Sequence, residues 1–151
     1  MQFDNFVLYE YNIIMWILFA LLSAFFAALT TIFAKIGIQN INSNLATAIR
    51  TIVVLIMSWA IVFFTGKHND IVNIGQKNLM FLVFSGIATG LSWLCYYRAL
   101  QIGEASKVIP IDKFSLVFGM IMAFIILKEA ITIKTIIGGI FITIGTFILI
   151  I

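Results

Sequence analysis

Five stretches of this chain are too long and too apolar to be left facing water. Ile13 to Ala34 carries no charge at all. Leu45 to Thr65 carries only Arg50. Leu79 to Tyr97 is again uncharged. Val108 to Leu127 holds the adjacent pair Asp112 and Lys113. Each of these four is close to the length that an α-helix needs to cross a bilayer, about 20 residues. Ile136 to Ile151 is shorter, and Thr132 to Thr135 can extend it to a similar length. Composition agrees: 63% of the 151 residues are apolar and 10% are charged, too few charges to coat a water-soluble domain of this size. The expected fold class is therefore all-α integral membrane, with five transmembrane helices.

Many of these positions are Ile, Val and Thr, which are weak helix formers in water. In hydrocarbon each backbone amide must find its partner within its own segment, and that requirement outweighs propensity. The patterns are continuous rather than alternating, which excludes a membrane barrel. Links between segments are short and carry helix punctuation. Gly37, Gly66 and Gly103 are candidate C-terminal caps. Asn42, Ser43 and Asn44 are candidate N-caps for the second helix, and Thr132 for the fifth. Short links place successive helices side by side and antiparallel. The expected organisation is one transmembrane domain over residues 13–151, preceded by a leader over residues 1–12 without assigned structure. That leader carries Asp4 and Glu10 and lacks a basic start, so it does not read as a signal peptide. Met15 is a possible alternative start.

Small residues recur at helical spacing: Ala20, Ala24 and Ala28; Gly86 and Gly90; Ser115, Gly119 and Ala123; Thr135, Gly139 and Thr143. These stripes are the packing code of membrane helices and mark close approach. Several function classes lose support. The net charge is +3, but the basic residues are scattered and form no nucleic-acid stripe. Cys95 is the single cysteine and His68 the single histidine, so no metal-ligand cluster is expected. No nucleotide-binding motif, nucleophile–base pair or carboxylate pair is evident, so neither ATP hydrolysis nor enzyme activity is expected, and no cofactor.

Charges inside membrane spans are expensive and point to function. Arg50 lies about 8 Å along the second span from Leu45, at about 1.5 Å per residue, within snorkelling reach of the interface. Asp112 and Lys113 lie roughly 10–12 Å along the fourth helix if it starts near Ala105. Neighbours on a helix point about 100° apart and are poorly placed to neutralise each other. Asp112 is therefore expected to seek a basic partner on another helix, with Arg50, Arg98 and Lys35 as candidates. Pro110 just before it removes a donor and is expected to kink the helix there. A kink with charges at depth resembles the broken-helix sites of transporters, and a structural ion pair is the alternative. Trp93 lies deep, where it lines a cavity or packs in the core or against lipid, whereas Trp16 and Tyr11 fit an interfacial belt.

Lys67, Lys77, Lys128 and Lys134 fall on one side of the membrane, against Lys35, Arg50, Arg98 and Lys107 on the other. This balance sets no strong orientation. An odd number of helices, duplicated, gives two halves of opposite topology, the plan of many transporters. A single five-helix unit reproduces that plan as an antiparallel homodimer or with a homologous partner chain.

The stretch from Tyr96 to the end of the chain resembles the EamA-type module of the drug/metabolite transporter superfamily. The matching features are Ala99-Leu100, Gly103 with Ala105-Ser106, Pro110, Lys128-Glu129, and Gly138-Gly139 with Gly145; Lys35 and Arg50 match as well. The likeness covers about Met15 to Ile151. Full-size members carry two such modules, so this chain resembles a half-size member, one inverted-repeat half of a ten-helix transporter. It departs from the family pattern at IDKFS, where many members are apolar or carry Thr-Pro. The resemblance implies secondary transport of a metabolite, amino acid or drug across the inner membrane, without covalent chemistry. Candidate substrate-binding or gating residues are Asp112, Lys113, Arg50, Lys35, Pro110, Trp93, Tyr97 and Arg98. Basic groups outnumber acids at depth, which favours an anionic or zwitterionic substrate. A lipid-linked flippase subunit and a non-transporting assembly or scaffold protein are the alternatives.

Overall fold

The computed structural model describes residues 14–151 with their side chains. The leader expectation for residues 1–12, and Tyr11, lie outside the described residues. Six α-helices occur in chain order: α1 (Gln2–Gly37), α2 (Ser43–Phe64), α3 (Gln76–Ile102), α4 (Ala105–Asp112), α5 (Phe114–Leu127) and α6 (Ile133–Ile150). A 3₁₀ segment, Lys67–Asn73, joins α2 to α3. Among the described residues the helices long and apolar enough to cross a membrane number five, because α4 and α5 form one interrupted span, Ala105–Leu127. Together with the apolar outer surface, this makes the chain an all-α integral membrane protein.

The helix ends follow the local chemistry. Asn42 caps α2, its side-chain oxygen accepting from the N–H groups of Asn44 (2.9 Å) and Leu45 (3.4 Å). Thr132 caps α6 through Thr135 N–H at 3.2 Å. After α2, Gly66 takes the left-handed conformation (φ 68°) that only glycine adopts freely. α5 stops without a glycine. Lys128 is itself left-handed (φ 55°), and Glu129 N–H reaches back to the Ala123 carbonyl at 3.3 Å.

One expectation changes at the fourth span. Pro110 is buried and α4 continues through it, so the interruption falls at Lys113 instead. There the backbone tightens (ψ −10°) and Lys113 N–H is shared between the carbonyls of Ile109 (3.3 Å) and Pro110 (3.1 Å). Proline removes one donor near the helix start, and the distortion is relaxed three residues later.

Helix adjacency also differs from chain order. α3 packs against α1, α2 and α4, and α6 against α4 and α5. α1 packs mainly against α3 and α4 rather than against α2, its neighbour in sequence. The short link fixes the ends of α1 and α2 without closing them on each other. The small-residue stripes are only partly used. A Cβ added at Gly139 would touch Met120 Cε at 3.3 Å, whereas one at Gly86, Gly90, Gly119, Gly138 or Gly145 would meet nothing within 4 Å.

Packing is concentrated at one end. Thr31, Ile38, Ser43, Thr47, Tyr97, Leu100 and Thr146 are buried, all near the α1–α2 and α3–α4 turns or the C-terminal end of α6. Leu100 is 0% exposed. Side chains tie this end shut. Lys35 Nζ donates to the carbonyls of Leu100 (2.6 Å) and Gly103 (2.7 Å), so its charge sits at the C-terminus of α3, where the helix dipole favours a cation. Arg98 donates to Gln101 Oε1 at 2.7 Å, and Gln101 Nε2 donates to the Ile41 carbonyl at 2.7 Å. Gly103 lies so close to the Ala99 carbonyl and Val108 Cγ2 that a Cβ would sit 3.0 Å from each. The described parts of α1, α2 and α3 toward the other end carry no buried residues.

Candidate functional site

A cavity of about 470 Å³ lies between α1, α2, α3 and the α4–α5 break, above the packed end. α1 contributes small residues, among them Ala24, Ala27 and Ala28, which leave the space free. The polar wall comes from Thr31, Arg50, Ser92, Tyr96, Asp112, Lys113 and Ser115. A larger side chain on the α1 face would fill the volume, so the alanines at this spacing act as much by leaving room as by packing.

Arg50 is the central group. Its guanidinium carbon stands 4.0 Å from the Trp93 ring centroid and 5.6 Å from that of Tyr97, both within cation–π range. Among the described residues it makes no hydrogen bond and no ion pair, so its N–H donors have no protein acceptor there. Stacking on aromatic faces holds the planar group without using those donors, and leaves its edge for a ligand.

Asp112 behaves differently from its sequence-based expectation. It pairs with Lys113, Nζ to Oδ2 3.9 Å, rather than with a basic residue from another helix. The long lysine stem and the break at Lys113 bring together two groups that a regular helix would hold apart. The contact is loose and both side chains are partly exposed, so solvent or ligand can compete for either. Among the described residues two cations and one carboxylate therefore face one cavity, an excess of one positive charge.

Tyr96 and Thr31 form the remaining polar element. Thr31 Oγ1 donates to the Ala27 carbonyl at 3.0 Å and lies 2.9 Å from the Tyr96 hydroxyl. Either hydroxyl can donate in this pair; with the single threonine proton on the Ala27 carbonyl, Tyr96 is the donor and its oxygen lone pairs are free. This wall accepts hydrogen bonds, whereas the Arg50 wall donates them.

Of the eight candidates, the structure brings five to this cavity: Arg50, Trp93, Tyr97, Asp112 and Lys113. Lys35 and Arg98 lie outside it and serve the packed end described above. Pro110 is buried in α4 beneath the cavity rather than on its wall. Sequence reasoning missed Thr31, Ser92, Tyr96 and Ser115. Tyr96 stood beside Tyr97 in an aromatic run, and its side-chain direction depends on how α3 turns against α1. The spacing from Ser92 to Tyr96, one helical turn on a single face, was the available signal.

The EamA-like transporter family profile matches residues 14–151. A protein of a Sinorhizobium species, named as an uncharacterized transporter in the cobO 3′ region, is 46% identical over 134 residues, which is 89% of this chain and 95% of that protein. A protein of Methanocaldococcus jannaschii, named only as uncharacterized, is 30% identical over 133 residues, covering 88% of this chain and 94% of its own length. No solved structure matches.

Proposed function

Because the chain belongs to the EamA-like transporter family, we propose that it is a secondary transporter for a small anionic or zwitterionic metabolite, working across the inner membrane as an antiparallel homodimer or with a homologous partner chain. That it is a multi-pass membrane transporter follows from the family, the relative named as a transporter and the five spans. The finer reading rests on one observation above all. Arg50 faces the cavity stacked on Trp93 and Tyr97, with no acceptor for its donors among the described residues. A guanidinium at depth without an acceptor is costly, and an anionic substrate group relieves that cost by bidentate hydrogen bonding. Asp112 and the acceptor face of Tyr96 offer a second pole for a substrate ammonium, with Lys113 holding Asp112 in its absence.

Pairing is supported by the odd number of spans among the described residues, by two relatives that match this chain over 95% and 94% of their own length, and by the balanced distribution of basic residues. A second copy would supply the other half of a ten-helix arrangement and cover part of an outer surface now lined by apolar side chains.

The test is uptake and export in proteoliposomes with a panel of carboxylates, zwitterions and quaternary ammonium compounds, at two pH values. Movement of carboxylates or zwitterions is expected, with loss of flux in Arg50→Gln. Tight, specific handling of quaternary ammonium compounds would overturn the substrate reading. If Asp112→Asn and Lys113→Gln altered stability but no substrate ever moved, a scaffold role would replace transport.

A further inference from the structure

A second space lies beside the central cavity, in the crevice between α1 and α2. It measures about 390 Å³ and is walled mainly by apolar side chains, including Phe33, Ile38 and Ile49. It exists because α1 packs on α3 and α4 and stands away from α2. Small residues keep it open without serving helix contact: Ala34 and Gly37 face it from α1 and Ala46 from α2, and a Cβ on Gly37 would meet nothing within 4 Å. Among the described residues its one charged group is Arg50. Thr30, Arg50 and Tyr97 line both this crevice and the central cavity, so Arg50 stands at the boundary between the two.

The chemistry of the two spaces is unequal. The central cavity holds Asp112, Lys113 and the Tyr96 hydroxyl. The crevice offers hydrocarbon contact and one cation whose donors no described residue accepts. A bilayer-facing groove of this kind accepts any apolar chain, but only an anion also answers the guanidinium at its inner edge. The volume is that of a site for a small molecule rather than for a two-tailed phospholipid.

We propose that the α1–α2 crevice is a second ligand compartment, in series with the central cavity, which takes the apolar body of a small amphipathic anion while Arg50 holds its charged group at the boundary. This rests on the transporter reading above and adds to it an apolar requirement and a lateral route. Arg50 serves both compartments by rotating its long side chain about the Tyr97 ring. The anionic group stays on the guanidinium while the apolar body moves from the bilayer side to the cavity side.

Photolabelling maps the occupant directly. The full chain is placed in phosphatidylcholine nanodiscs with a medium-chain fatty acid bearing a diazirine on its chain, and adducts are located by peptide mass spectrometry. Adducts are expected to concentrate between Phe33 and Ile38 and between Ala46 and Ile49. They should fall several-fold with excess octanoate, stay with excess octylamine, and fall several-fold in Arg50→Gln. Arg50→Lys, which keeps the charge, should retain part of the labelling and covers the case in which the glutamine variant does not fold. Adducts spread evenly over the outer faces of α5 and α6, or equal competition by octylamine, would overturn the proposal. Adducts confined to Ala24–Thr31 and the α4–α5 break would remove the crevice as a compartment and leave the cavity reading standing. Octanoate-insensitive labelling at both places would remove both. Loss of the crevice adducts on adding phosphatidylglycerol, with no octanoate present, would make the occupant a lipid and overturn the free anion.

Discussion

Arg50 and Lys35 are both cations at depth or near it, yet their surroundings give them opposite work. Lys35 spends its donors on the Leu100 and Gly103 carbonyls and holds α1 to the end of α3. Removing it in Lys35→Met should destabilise the protein by about 2 kcal/mol, the worth of hydrogen bonds to a charged group, measured by denaturant titration in mixed micelles. Lys35→Arg should recover part of that loss, and purified Lys35→Met that still folds should bind substrate with little change. Arg50→Gln should do the reverse, leaving unfolding nearly unchanged while abolishing flux. Asp112→Asn separates two substrate classes. It removes the ammonium pole and takes from Lys113 its carboxylate partner, so uptake of a zwitterion should drop at least tenfold while uptake of a simple carboxylate holds or rises. Equal loss for both would place Asp112 in general gating instead. The eight candidates were legible in the sequence as charges, proline and aromatics inside apolar runs, but their division between cavity and clasp was not. Hydropathy registers a charge at depth and is blind to whether a carbonyl, an aromatic ring or a cavity lies opposite.

At the level of helices, two glycines of α3 differ in what surrounds them, Gly103 at its C-cap and Gly90 in its interior. Gly103→Ala would press a methyl group against the Ala99 carbonyl and Val108 at 3.0 Å, and one of those contacts is backbone. It should destabilise by about 1–3 kcal/mol, as overpacking does. Gly90→Ala meets open space, so in the isolated chain it should be neutral or add up to about 1 kcal/mol through helix propensity. Thermal unfolding of the two variants in the same detergent decides this, and destabilisation by Gly90→Ala would mean that its face is covered. The α4–α5 break shows how element boundaries escape sequence reading. Pro110 announced a distortion, but its location at Lys113 follows from how α4 is buried at the packed end, and that burial depends on α1, α3 and α6 together.

For the whole molecule, one end is closed by Lys35, Gln101 and a buried cluster, and the described residues toward the other end are not packed in this way. Antiparallel pairing of two such units would set the closed end of one beside the open end of the other. Cysteines placed singly at the α1–α2 turn, for example at Gln39 in a Cys95→Ser background, should react with a membrane-impermeant maleimide from both sides of sealed vesicles, in roughly equal amounts if the chain inserts both ways. Reaction from one side alone, in a preparation with no partner chain, would sink the antiparallel homodimer.

The amino-acid order alone determined that this chain crosses a bilayer five times, where most of its helices start and stop, and which family its spacing fits. Those properties are local, since backbone amides in lipid must bond within their own segment and caps act within a few residues. Tertiary structure decided that Arg50 stacks on Trp93, that Asp112 pairs with its neighbour, that Lys35 and Arg98 leave the cavity, and that α1 stands apart from α2. Apolar side chains have almost nothing to gain from one another over lipid, so the apolar pattern carries little information on how each helix rotates. That rotation follows from the few close contacts and polar bonds that all the helices must satisfy at once.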